Sequence, residues 1–231
     1  MIKQPIKVAT ILPCLCIVPS LTYAKPSPVI TKLVPNGWKI LSSSEGDLNK
    51  DNRADVAMII EKLKTDVIVK VDDGEAIHNN PRKLLVFLKQ NTGYQLTTEN
   101  TTIPVAEAEN SCVEDPLAET DGMTINRGIL SLNFSYFMSC GGWEWPRHAY
   151  TFRWQNNDFQ LIGFDYISFY RNSGEMTHKS YNFSTSKLKE IVGDNMFEGG
   201  QPKTKWTTFK NDQTFTLNNV NFDDFYGQFK D

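Results

Sequence analysis

Asp47, Asn49, Asp51 and Asp55 place four oxygen-bearing side chains at relative positions 1, 3, 5 and 9 of one short stretch. Carboxylate and amide oxygens are hard donors, and calcium takes about six to eight such ligands at once. In a loop of this stagger position 7 usually supplies a backbone carbonyl, and here that residue is Arg53. Its side chain is then expected to point to solvent while its carbonyl faces the ion. Asp55 closes the ring directly or through water. A true EF-hand also needs a bidentate glutamate at position 12, where this chain has Met58, and helices on both sides. The metal reading is therefore a calcium loop of another kind, with Asp47, Asn49, Asp51, Arg53 and Asp55 as ligands.

Other constellations are weaker. The three histidines, His78, His148 and His178, lie in no H-E-x-x-H pattern, and the chain has no G-x-S-x-G elbow or phosphate-cradling glycine loop. Glycoside hydrolysis requires two carboxylates across a cleft, and Glu144, Asp165 and Glu175 are the conceivable members. Cys140 to His148 gathers Trp143, Trp145 and Arg147 next to Gly141-Gly142. Exposed indoles there would stack on sugar rings or anchor a protein, since Trp and Arg are enriched in interface hot spots. Alternatively, they fold over the end of the core. A secreted or periplasmic hydrolase, or a carbohydrate-binding module, would have its site in this segment.

The elements that must position these groups read as strands. Val56-Ala57-Met58-Ile59-Ile60 is an unbroken apolar run directly after the acidic loop, short enough for a buried strand. Lys83 to Lys89 is a second such run, and Asn91-Thr92-Gly93 turns it back into Tyr94 to Leu96. Val67, Val69 and Val71 alternate before the Asp72-Asp73-Gly74 turn. Leu130, Leu132, Phe134, Tyr136 and Met138 share one face of a period-two pattern, and Tyr150, Phe152 and Trp154 another. Phe159 to Phe164 follows, and turns at Asn172-Ser173-Gly174 and Ser184-Thr185-Ser186 separate two more short strands. Trp38 to Leu41 reads as a short strand ending at Ser42-Ser43-Ser44, and residues 25–36 as an extended lead-in. The tail, with Trp206, Phe209, Phe215, Leu217, Phe222 and Phe225, is expected to lie along the core. Short strands at this spacing predict a mainly β protein of antiparallel sheets, sandwich or propeller-blade-like, with few short helices.

Gly46-Asp47-Leu48-Asn49-Lys50-Asp51-Asn52-Arg53-Ala54-Asp55-Val56-Ala57 resembles the calcium loop of FG-GAP/VCBS-type repeats, where D-x-N-x-D-G-x-x-D leads straight into a strand. It also resembles the single-copy loop of a group of uncharacterised exported bacterial proteins. The resemblance implies a structural calcium ion and a blade-like β arrangement. Asn52 replaces the glycine at position 6, the best non-glycine choice for a left-handed backbone. A propeller needs several blades and only one copy is present, so a full propeller is not expected.

The N-terminus reads as an export signal. Lys3 and Lys7 precede the apolar stretch Val8 to Leu21, and Thr22-Tyr23-Ala24 offers a cleavage point. The stretch is short for a membrane span and carries Pro13 and Pro19. Residues 25–231 would then be one mainly β domain, periplasmic or secreted, without a membrane span. The formal charge of −3, more negative without Lys3 and Lys7, argues against a nucleic-acid binder. Of four cysteines, Cys14 and Cys16 leave with the signal, and Cys112 with Cys140 is expected to form a disulfide. Closing a loop of that length is worth about 3.5 kcal/mol in the chain-entropy model. Function is thereby narrowed to an exported, non-catalytic binding or accessory domain, with a protein or glycan partner that the sequence does not name.

Overall fold

A computed structural model describes residues 28–63, 68–70, 76–78, 80–106, 112–118, 120 and 122–229. The expected export segment, its cleavage point and the Asp72-Asp73-Gly74 turn lie outside the described residues. In chain order the elements are α1 (Pro28–Leu33), β1 (Trp38–Gly46), β2 (Asp55–Lys62), β3 (Ile68–Lys70), β4 (Ala76–His78), β5 (Arg82–Gln90) and β6 (Gly93–Asn100). There follow β7 (Met123–Asn126), β8 (Ile129–Ser135), β9 (Glu144–Gln155), β10 (Asp158–Tyr170), β11 (Glu175–Asn182), β12 (Lys187–Asn195), β13 (Lys203–Thr208) and a 3-10 turn, Tyr226–Phe229. The strands form a four-stranded sheet ordered β1-β2-β5-β6 and a seven-stranded meander from β13 to β7, with β3-β4 as a separate hairpin. Every pairing is antiparallel.

The mainly β expectation holds, in the form of a sandwich. Ala57, Ile59, Leu84 and Val86 of the smaller sheet share a core with Leu130, Leu132, Phe134, Tyr150, Phe152 and Phe164 of the larger one. Fully burying each of the leucine, isoleucine, valine and phenylalanine side chains among them is worth about 1.5–3 kcal/mol. Val56, Met58 and Ile60 point the other way, with Leu85 and Phe87, into a second cluster roofed by Ile30 of α1 with Trp38 and Tyr94 alongside. Apolar surface on both faces explains why the run after the acidic loop shows no alternation.

Three local expectations change. The segment read as an extended lead-in contains α1, because Pro28 suits the first helical position and Ile30, 2 % exposed, finds a hydrophobic seat. Ser42-Ser43-Ser44 does not end the first strand. All three serines pair with β2, and Ser44 Oγ accepts the Ile125 amide of β7 at 2.9 Å. The tail does cover the core through Leu217, Val220, Phe222 and Phe225, and Asn100 fastens it by donating to the Leu217 and Val220 carbonyls at 2.7 and 2.8 Å. Trp206 does not join them. It stands 62 % exposed on edge strand β13. Cys112 and Cys140 form the expected disulfide, with Cα atoms 5.3 Å apart.

Candidate metal centre

The acidic stretch is the β1–β2 connection, and its backbone adopts a loop tied by its own side chains. Lys50 and Asn52 take left-handed φ values of 64° and 65°, so asparagine does occupy the place of the loop glycine. Asp47 accepts the amides of Asp51 at 3.1 Å and Asn52 at 2.9 Å. Asn49 Oδ1 accepts the same Asp51 amide at 3.1 Å, so the oxygens of Asp47 and Asn49 converge on one point. Asp51 Oδ1 accepts the Arg53 amide at 2.9 Å.

Asp55 is the anchor of the arrangement. It is 0 % exposed at the first position of β2, with Oδ2 accepting the Leu48 amide and Oδ1 the Lys89 amide of β5, each at 2.8 Å. Desolvation pushes its pKa upward, against the pull of those amides. Leu48 itself is 1 % exposed and sits in the main core. On the far side the loop meets the β7–β8 turn. A Cβ on Gly128 would lie 3.6 Å from the carbonyl oxygens of Asp47 and Leu48, and one on Gly46 would lie 2.6 Å from Ile125 Cγ2. Glycine at these two sites lets the second sheet approach. The loop thus touches β5 of one sheet and the β7–β8 hairpin of the other.

Arg53 keeps its side chain 38 % exposed. Its guanidinium folds back onto Asp51, with Nε and Nη2 donating to Oδ2 at 2.9 and 2.6 Å, while Nη1 reaches Asn91 at 2.7 Å. The Arg53 hydrogen bond holds the Asp51 carboxyl below its ordinary range. The oxygens of Asp47, Asn49 and Asp51 are hard donors of the kind calcium takes. A cation seated there would share Asp51 with the guanidinium or displace it.

The tryptophan-rich segment is divided by the structure. Trp145 is half-buried: its Nε1 donates to Ser135 Oγ at 2.7 Å, and its ring lies 4.9 Å from Phe137 and 5.1 Å from Phe169. Arg147 caps it, 4.7 Å above the ring. Trp143, by contrast, is 59 % exposed. Glu144 accepts the hydroxyls of Tyr166 and Ser168 on the core-facing side of β10. Asp165 alternates to the outer side, beside His178 Nε2 at 3.3 Å, so Glu144 and Asp165 do not flank a common cleft.

One ionic group escaped sequence reading. Arg82, its side chain 6 % exposed, donates to Glu61 at 3.0 Å and to both oxygens of Asp115 at 2.7 and 2.5 Å. Desolvation raises the Asp115 pKa, but the Arg82 hydrogen bonds outweigh it and hold the group below 3.8. No local pattern signals this network, because its members come from β2, β5 and a distant loop.

Comparison with family models, curated proteins and solved structures finds no match for this chain. The loop resemblance stands on residues 46–57 alone.

Proposed function

We propose that this chain is an exported, non-catalytic binding or accessory domain whose 47–55 loop clasps the two sheets around a structural calcium ion. The observation that carries the reading is the placement of Asp55, a fully buried carboxylate spent on the backbone of its own loop and of β5. A carboxylate committed in this way is architecture rather than catalytic machinery. Calcium, when bound, supplies the divalent charge that draws oxygens together; Asp47, Asn49, Asp51 and the Arg53 carbonyl are the residues that would hold it, with Asp55, its oxygens engaged by two amides, closing the ring through water. Export is supported by the lysine-led apolar segment and by the disulfide, and extracellular calcium is abundant enough for weak sites. Among the described residues no helix is long and apolar enough to cross a membrane. A hydrolase at Trp143 to His148 that pairs Glu144 with Asp165 draws less support, because the two face opposite sides of the larger sheet.

Calorimetric titration with calcium chloride tests the clasp. The expected result is one site per chain, lost in Asp47→Ala. Absence of heat in the wild-type chain, or unchanged binding in the variant, overturns the calcium assignment.

A further inference from the structure

The outer face of the larger sheet ends in a recess that the clasp does not use. Strand alternation puts Leu188 toward Tyr181 and the core, and therefore turns Lys187 and Lys189 outward. Ser180, Lys189 and Trp206 are direct neighbours across β11, β12 and β13, and Asn182, Lys187 and Thr208 form the next row. With Thr185 of the β11–β12 turn, Ser180, Asn182, Lys187, Lys189 and Trp206 line a recess of about 520 Å³. A second recess of about 530 Å³ lies by Lys187, Trp206, Thr207 and Thr208, so the indole borders both.

The chemistry of this lining is specific. A tryptophan left 62 % exposed offers a flat apolar face. Hydroxyl and amide groups around it match a ligand dense in hydroxyls. Among the described residues, Lys187 and Lys189 enter no ion pair, whereas Lys179 and Lys205 on the opposite face share Glu190. The nearest carboxylate in the Lys189 row is Asp165, two strands away, and His178 already faces it. Two uncommitted ammonium groups beside an indole therefore leave local positive charge on a chain of net charge −3.

We propose that this recess binds an anionic oligosaccharide, its sugar ring stacked on Trp206 and its acidic group held by Lys187 and Lys189. A single-stranded nucleic acid would also stack on an indole. A polyphosphate chain needs a wider basic surface than two lysines. The inference rests on reading the chain as a binding domain and names that domain's ligand class.

Titration calorimetry of the whole exported chain with three hexasaccharides tests it: a galacturonate hexamer carrying carboxylates, a heparin-derived hexamer carrying sulfates, and neutral cellohexaose. The expected result is binding of at least one acidic hexamer, about tenfold weaker in Trp206→Ala and also weaker in Lys187→Ala/Lys189→Ala. Raised salt should weaken it further. Trp143→Ala should leave it unchanged. No heat with either acidic hexamer, equal affinity for cellohexaose, unchanged binding in Trp206→Ala, or tighter binding of a dT hexamer each overturns the site. Shortened saccharide products after incubation would instead overturn the non-catalytic reading, so the two failures are distinguishable.

Discussion

The acidic loop and the Trp206 recess are both polar, yet they use their polar groups in opposite ways. In the loop nearly every oxygen is engaged: Asp47, Asn49, Asp51 and Asp55 all accept hydrogen bonds from neighbouring amides, and Arg53 neutralises Asp51. In the recess the ammonium groups of Lys187 and Lys189 enter no ion pair among the described residues, and the indole of Trp206 is exposed. Groups satisfied internally stabilise a fold, and leaving one unmatched in the interior costs more than its bond contributes. Groups left open to solvent are available to a partner. The contrast assigns stability to one region and recognition to the other.

That division is open to attack from its strongest side first. Asp55→Ala strands the Leu48 and Lys89 amides and should destabilise the chain by about 3 kcal/mol. Chemical denaturation would read this directly, and saccharide binding by the folded fraction should be unaltered. Arg82→Ala leaves Asp115 without its cation and Glu61 with Lys39 alone, with an expected cost of about 3 kcal/mol. It is a control for stability effects far from the loop.

Acid should act through the same network. The native state depresses the Asp115 pKa below 3.8, so the group contributes stability above that value and loses it as pH falls through the depressed pKa. Melting temperatures recorded from about pH 5 to about pH 3 should fall in the wild-type chain and fall less in Asp115→Asn. A steeper fall in the variant would reject the assignment. Asp55, with its pKa raised, works in the opposite sense and loses stability as pH rises from 3.8 through its native value.

Smaller effects sharpen the contrast. Arg53→Ala keeps the position-7 carbonyl but frees Asp51, so calcium should bind several-fold more tightly; equal or weaker binding would show that the guanidinium is no competitor. Trp206→Ala should move stability by less than about 0.5 kcal/mol, as an exposed substitution does. A large loss of stability there would mean that the indole belongs to the fold after all.

Much of this architecture was legible in the chain. The alternation of Leu130, Leu132 and Phe134, and of Tyr150 and Phe152, gave the inner face of the larger sheet, because the period of a strand shows in its side chains. The run from Val56 was legible as a buried strand, although only the structure explains its double-sided burial. Ser42 to Ser44 misled because serine has turn chemistry, whereas pairing with β2 and the Ile125 amide fixes it in a strand. Sequence spacing says nothing of the Arg53 side chain folding back on Asp51. The sequence pattern groups Trp206 with the apolar tail; its exposure follows from its parity on an edge strand, which depends on the register.

The central claim is that the 47–55 loop holds the two sheets together with the help of calcium. Thermal melting of the chain in saturating calcium and in EDTA tests it most directly. At calcium near a hundred times its dissociation constant, the ion should add about 2.7 kcal/mol and raise the midpoint by about 5–10 °C, with no such rise in Asp47→Ala. Coincident wild-type curves in calcium and EDTA would contradict the account.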